Sequence, residues 1–345
     1  MKPGDTSVKK RLWKRYGVGL SLLLALAATS AVAFLTACPL PPGSPAVVVA
    51  IREGSSTAEI ASELYSKGVI KSPFLFRLFA RILGVQGSLQ AGEYAFEPGM
   101  SLFDVMSSIR EGRVVYYKLT ISEGLSVEQV AMVVEERGFG SKEAFLQACK
   151  DPDLVKKWAT SDELKNTRYP VEGYLFPDTY YIRKGLTEKD LVLMMVRRFS
   201  QAVGGLLEKN AGKYGLSPHQ LATLASIVEK EAMTPEERPI IAKVFLNRLA
   251  IGMKLDADPT VLYAIGKTSG SPLYKDLEFD SPYNTYKYAG LPPGPIAGFG
   301  KAALEAVIDP ASVDYLYFVS KNDGTHAFAR TYEEHLKNVR QYQGR

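Results

Sequence analysis

The sequence predicts an α+β fold: an N-terminal transmembrane helix, a small module of βα units, and a mixed α/β domain with a buried helix and long Pro/Gly-rich loops. Three observations predict it. A basic block precedes an uncharged stretch, Tyr16 to Ala37. A strand–turn–helix pattern recurs beyond that stretch. An almost wholly apolar segment, Leu221 to Ala232, then ends in Glu229, Lys230 and Glu231.

Lys2, Lys9, Lys10, Arg11, Lys14 and Arg15 against Asp5 make residues 1–15 a basic tail that carries the whole net charge of +5. Beyond Arg15, acidic and basic side chains balance, so no basic face for nucleic acid is implied. A helix over residues 16–37 would span roughly 33 Å at about 1.5 Å per residue, against a hydrocarbon core of about 30 Å. The flanking positive charge places the N-terminus in the cytoplasm and everything after Ala37 outside the inner membrane. Three readings stay open: an uncleaved anchor, a lipoprotein acylated at Cys38 after Leu35-Thr36-Ala37, and a secreted form cut near Ala31-Val32-Ala33. The stretch is longer than an ordinary signal-peptide core, which favours the anchor, and all three readings export the body of the chain. Cys38 and Cys149 are the only cysteines, so no disulfide framework is expected. The three histidines lack ligand spacing, so neither a metal nor a cofactor is expected.

Residues 38–46 form a stiff Pro-rich linker. In the module at 47–117, Ile51-x-Glu53-Gly54-x-Ser56-x-x-x-Ile60-Ala61 begins a pattern that returns as Ile121-x-Glu123-Gly124-x-Ser126-x-x-x-Val130-Ala131. A weaker copy, Gly99-x-Ser101-x-x-x-Val105, lies between them. Each reads as a strand, a Gly turn, a Ser N-cap and an amphipathic helix, with strands at Val47–Ile51 and Val114–Ile121. Such units resemble LysM modules, which bind N-acetylglucosamine-containing glycans; Gly-x-Ser also marks strand-to-helix turns in any α/β protein.

In the domain at 118–345, Ser217-Pro218-His219-Gln220 opens a helix with Ser as N-cap, Pro at the first position and Gln closing a capping box. Glu229 shares its face with Ala225, Ser226, Ala232 and Met233, residues mostly too short to cover it. A carboxyl on such a floor has its charged form disfavoured, as a general acid requires; a solvated turn at a helix end is the bland alternative. Thr234-Pro235-Glu236-Glu237 reads as a second capping box, with the helix start near Arg238 and a stop at Gly252. Residues 253–300 read mostly as loop, followed by a strand at Tyr315–Ser320 and a helix capped by Thr331 and Glu334.

The segments "EGYLFPDTY" (172–180), "LASIVEKEA" (224–232), "VFLNRL" (244–249), "GMKLDADPTVLY" (252–263) and "SPYNTYKYAGLPPGPI" (281–296) occur in one order. Together they resemble the endolytic murein (lytic) transglycosylases of the MltG/YceG type, over essentially everything after residue 15. Asp256-Ala257 stands where that family usually has Gln-Ser or Gln-Thr, and "AGFGKAAL" replaces its usual Asn-Pro-Gly. The resemblance implies a YceG-like catalytic domain that cuts the MurNAc–GlcNAc β-1,4 bond within peptidoglycan strands. It implies Glu229 as catalytic acid/base, 1,6-anhydro-MurNAc ends as product, and termination of nascent strands, with peptidoglycan synthases as candidate partners. Glu231, about 200° around the helix, should face Ile227, Val228 and Thr234 and be a decoy.

Asn284, Thr285 and Tyr286 read either as a sugar-gripping loop or as a turn holding its own backbone. Asp258 and Thr260 are candidates for substrate or for a helix start. Glu172 and Asp178 either position substrate or brace the Pro-rich turn, and Asn247 is a further candidate. Beside a lytic transglycosylase, a hydrolytic muramidase with a second carboxylate and a non-catalytic peptidoglycan-binding scaffold remain open.

Overall fold

A computed structural model of the chain describes residues 39–344, together with Leu26, Thr29, Ser30, Thr36 and Ala37. The expected basic tail, most of the expected span and Cys38 lie outside these residues. Among the described residues no helix is long and apolar enough to cross a membrane. The fold is mixed α/β, with small two-stranded sheets in place of one large sheet. It divides into two compact units, one of residues up to Tyr117 plus Arg183–Gly185, the other of Lys118–Ile182 and Leu186 onward.

The first unit holds β1 (Val47–Ile51), α1 (Thr57–Ser66), α2 (Pro73–Ile82), β2 (Gly92–Phe96) and α3 (Leu102–Glu111). β1 and β2 pair antiparallel with Val49 opposite Tyr94. Alternation along them sends Val49, Ile51, Tyr94 and Phe96 into a core with Ile60, Leu64, Phe76, Val105 and Ile109. The sequence repeat is a repeat of helix caps. Ser56 with Glu59, Ser101 with Asp104 and Ser126 with Gln129 each close a capping box in which side chain and backbone bond reciprocally. α2, capped by Ser72 with Pro73 in its first turn, is not anticipated by the repeat.

The second unit begins at Lys118 within β3 (Tyr117–Thr120), which is shorter than the expected strand, and α4 (Val127–Glu136) and α5 (Lys142–Ala148) follow. β4 (Thr179–Ile182) pairs with β3, with Ile121 N–H donating to Asp178 O at 2.9 Å. α6 (Glu188–Phe199) runs on through a π turn to Gly204, where a Cβ would come within 2.9 Å of the Trp158 ring. The apolar segment forms α7 (Pro218–Glu231), with the expected Ser217–Gln220 capping box. Its Leu221, Leu224, Ala225, Ile227 and Val228 are fully buried. They pack against α8 (Arg238–Ala250) and the later helix Lys301–Ile308 through Ile241, Phe245, Ala303, Leu304 and Val307. Thr234 makes no side-chain cap: Pro235–Glu237 is one 3₁₀ turn, and α8 starts at Arg238. The stretch 253–300 carries α9 (Asp258–Ala264) and a single turn at Tyr274–Leu277 before α10 (Lys301–Ile308). β5 (Tyr317–Ser320) forms an antiparallel hairpin with β6 (His326–Ala329), and α11 (Tyr332–Gln343) closes the chain on its Thr331–Glu334 capping box.

Candidate active site

The C-terminal turn of α7 directs its two carboxylates to different surroundings. Glu229 turns inward. Its Oε1 accepts from Arg238 at 3.3 Å and its Oε2 from the Gly300 backbone N–H at 3.1 Å, with the side chain 6% exposed. The expected floor of small residues is therefore occupied by the Arg238 side chain and the first turn of the helix that follows Gly300. A Cβ at Gly300 would lie 1.9 Å from Glu123 Oε1, so a larger residue there would push the Glu123 carboxyl aside.

Glu231, the last residue of α7, turns the other way, into a groove of about 460 Å³ lined also by Asp258, Arg168, Glu128, Tyr263 and His326. The two carboxylates do diverge as helix geometry requires, but the one that lines the groove is Glu231, not Glu229. Among the described residues nothing hydrogen-bonds or ion-pairs with the Glu231 carboxyl. Burial, and then the neighbouring Asp258 carboxylate, push its pKa up to about 8, against a smaller opposing pull from Arg248. A half-buried carboxyl that keeps its proton at neutral pH while facing solvent-filled space can act as a general acid.

The other candidates divide between the groove and its scaffold. Asp258 lines the groove and accepts from Tyr286 Oη at 2.7 Å, so these two are brought beside Glu231. Asn284 is fully buried and serves the loop itself: its Nδ2 donates to Leu277 O and Phe279 O, and its Oδ1 accepts from Tyr286 N–H. Thr285 Oγ1 accepts from Ala257 N–H and meets Thr260 Oγ1 at 2.8 Å, both threonines being buried, so they hold α9 to the loop. Glu172 is buried and accepts from Val127 N–H and Tyr263 Oη, both at 3.0 Å; burial lifts its pKa to about 8. It reaches the groove only through Tyr263, over whose ring Arg168 lies at 4.9 Å. Asp178 is taken by Arg198 and by Thr179 N–H, which hold its pKa down. Asn247 donates to Val313 O and Tyr315 O, and Arg248 donates to the backbone carbonyls of Leu316 and Leu255.

A larger cleft, of about 1030 Å³, lies at the other end of α7. Its carboxylates are engaged: Glu163 in the caps of Thr160 and Ser217, Asp280 with Tyr288 and Lys287. Size favours this cleft, but chemistry favours the groove, where a carboxyl is free and raised. His326 on the groove wall belongs to a pair that sequence reasoning missed. His326 Nδ1 lies 2.7 Å from Glu237 Oε2, and its backbone N–H donates to Glu237 Oε1 at 2.8 Å. The two residues are eighty-nine positions apart, and no periodicity joins them.

An open groove served by one unpaired, proton-retaining carboxyl defines the class: an acid–base enzyme acting on an extended, polar substrate. The model of the YceG-like family matches residues 49–341, and the chain belongs to that family. A Bacillus subtilis (strain 168) protein named endolytic murein transglycosylase is 38% identical over 306 residues, covering 86% of this chain and 84% of its own. A Streptococcus pneumoniae (strain D39) protein of the same name is 33% identical over 324 residues, covering 86% of this chain and 58% of the longer relative. The crystal structure of a yceG-like protein from Listeria monocytogenes superposes with a TM-score of 0.60 at 37% identity, over 85% of this chain and 99% of that one.

Proposed function

We propose that this chain is an endolytic peptidoglycan lytic transglycosylase, a lyase, in which Glu231 is the acid/base. The observation that carries the reading is the free Glu231 carboxyl with its pKa raised to about 8 in the groove; the family relatives supply the substrate class. Glu231 gives its proton to the leaving O4 of GlcNAc as the bond to the muramyl C1 breaks. The muramyl C6 hydroxyl attacks C1, and its proton passes to the Glu231 carboxylate. One C–O bond breaks, one forms, the acid is restored, and no water is consumed. Asp258 and Arg168 would bind polar groups of the strand along the groove, with Glu229 fixing the end of α7 from behind.

The uncharged stretch Tyr16–Ala37 supports single-pass anchoring in the inner membrane, catalytic domain outside. The two Ser-capped turn–helix units at Ser56 and Ser101 support a LysM-like glycan-binding role for the first unit. Near the membrane, such an enzyme would meet nascent strands and their synthases.

Digestion of intact peptidoglycan in ¹⁸O-water with product mass spectrometry tests the reaction. The expected products are 1,6-anhydro-muramyl ends without label. Asp258, beside Glu231 in the groove, favours the hydrolytic alternative as a second carboxylate; that mechanism would place one ¹⁸O at each new reducing end and would replace the transglycosylase reading.

A further inference from the structure

The first unit carries an apolar stripe that its own core does not use. On α2, Phe74, Leu78 and Ile82 recur every fourth residue and share one face, and they are 62%, 39% and 66% exposed. Phe76 and Ala80, on the opposite face, are buried in the unit's core. Arg77 and Arg81 run along one edge of the stripe, α2 contains no acidic residue, and among the described residues neither arginine makes an ion pair.

The stripe has a defined neighbour. Phe103, 40% exposed in the first turn of α3, meets Phe79 of α2 edge-on with ring centroids 5.0 Å apart. Two residues before it, Ser101 forms a β-bridge with Ala37, the last residue of the uncharged stretch. The flank of α2 beside the exposed face is thus linked, through Phe103 and Ser101, to the point where the chain would leave the bilayer. Apolar side chains flanked by arginines suit the headgroup–acyl boundary, where arginine stems cover apolar surface while the guanidinium groups meet lipid phosphates. Self-association through this face would bring like charges together, and aliphatic Leu78 and Ile82 offer a sugar no hydrogen bond.

We propose that the Phe74–Leu78–Ile82 face of α2, with Arg77 and Arg81, rests in the surface of an anionic bilayer as a second membrane contact. This rests on the reading that Tyr16–Ala37 lies in the membrane. The contact would fix the first unit's tilt at the membrane as well as its tether.

The test uses the full chain carrying Cys38→Ser and Leu78→Cys, with an environment-sensitive NBD dye on the new thiol; Cys149 is buried and escapes labelling. The protein is reconstituted into vesicles of phosphatidylcholine with phosphatidylglycerol. Flotation reports anchoring; the dye reports the face. The expected result is blue-shifted emission quenched by spin-labelled acyl chains, with quenching more than halved by Arg77→Glu plus Arg81→Glu. A chain that floats while its dye emits as in water and resists quenching overturns the proposal but leaves the anchor. Blue-shifted emission that spin-labelled acyl chains do not quench also overturns it, because another protein surface would then cover the face. A chain that does not float removes the anchor reading and the proposal together.

Discussion

Glu229 and Glu231 differ in company more than in chemistry, and substitutions should separate them. Glu231→Gln is nearly isosteric but cannot cycle a proton, so strand cleavage should fall by about a hundredfold or more with the melting temperature little changed. Glu229→Gln keeps a side-chain acceptor for Gly300 N–H but loses the charge facing Arg238, which is only 18% exposed. Breaking that mostly buried pair should cost about 3 kcal/mol in a denaturant titration, with activity falling as the fold does. Abolished cleavage in a stably folded Glu229→Gln, beside an active Glu231→Gln, would return the acid/base role to Glu229. Glu172 supplies a pH effect. Its folded pKa of about 8 lies above the ordinary 4.5, so between those values the unfolded chain has released a proton that the native carboxyl keeps. This residue's contribution therefore lowers stability as pH rises from about 4.5 to about 8 and changes little above that. Glu172→Gln should flatten that part of the melting-temperature profile between pH 5 and pH 8; an unchanged slope would show that Glu172 is ionised throughout.

Elements were legible where their determinants are local. Ser56, Ser101, Ser126, Ser217 and Thr331 each form the expected cap, because a capping box is written within four residues. Ser217→Ala should therefore cost about 1 kcal/mol in chemical denaturation and leave the groove's chemistry intact at the far end of α7. Thr234 broke the same rule: Pro235 and the two glutamates form a 3₁₀ turn that sends Glu237 to His326, so the cap motif was spent on a distant contact. The site was legible only in part for the same reason. Helix geometry correctly set Glu229 and Glu231 on different sides, but which side meets substrate depends on Arg238, Gly300 and Asp258, placed by turns that no periodicity encodes. Asn284 and Thr285 show the converse, since their turn-forming alternative is what the buried loop uses them for.

Across the whole molecule, catalysis and location should be separable. The second unit has its own continuous core, and the first has another. A chain lacking residues 1–37 should stay soluble and cut isolated peptidoglycan, as judged by gel filtration and product analysis; aggregation or inactivity would show that the apolar stretch contributes to folding or catalysis. Cys38→Ser in the full chain should leave membrane sedimentation unchanged if that stretch is an uncleaved span, whereas loss of fatty-acid labelling and of sedimentation would establish the lipoprotein.

The bond from Gly300 N–H to Glu229 also orders events in time. The ribosome makes α7 some seventy residues before Gly300. Until Gly300 arrives, the end of α7 lacks one of the two partners that set its carboxylates apart. A chain still being made therefore has no finished groove, and it becomes competent only when nearly all of it has been joined.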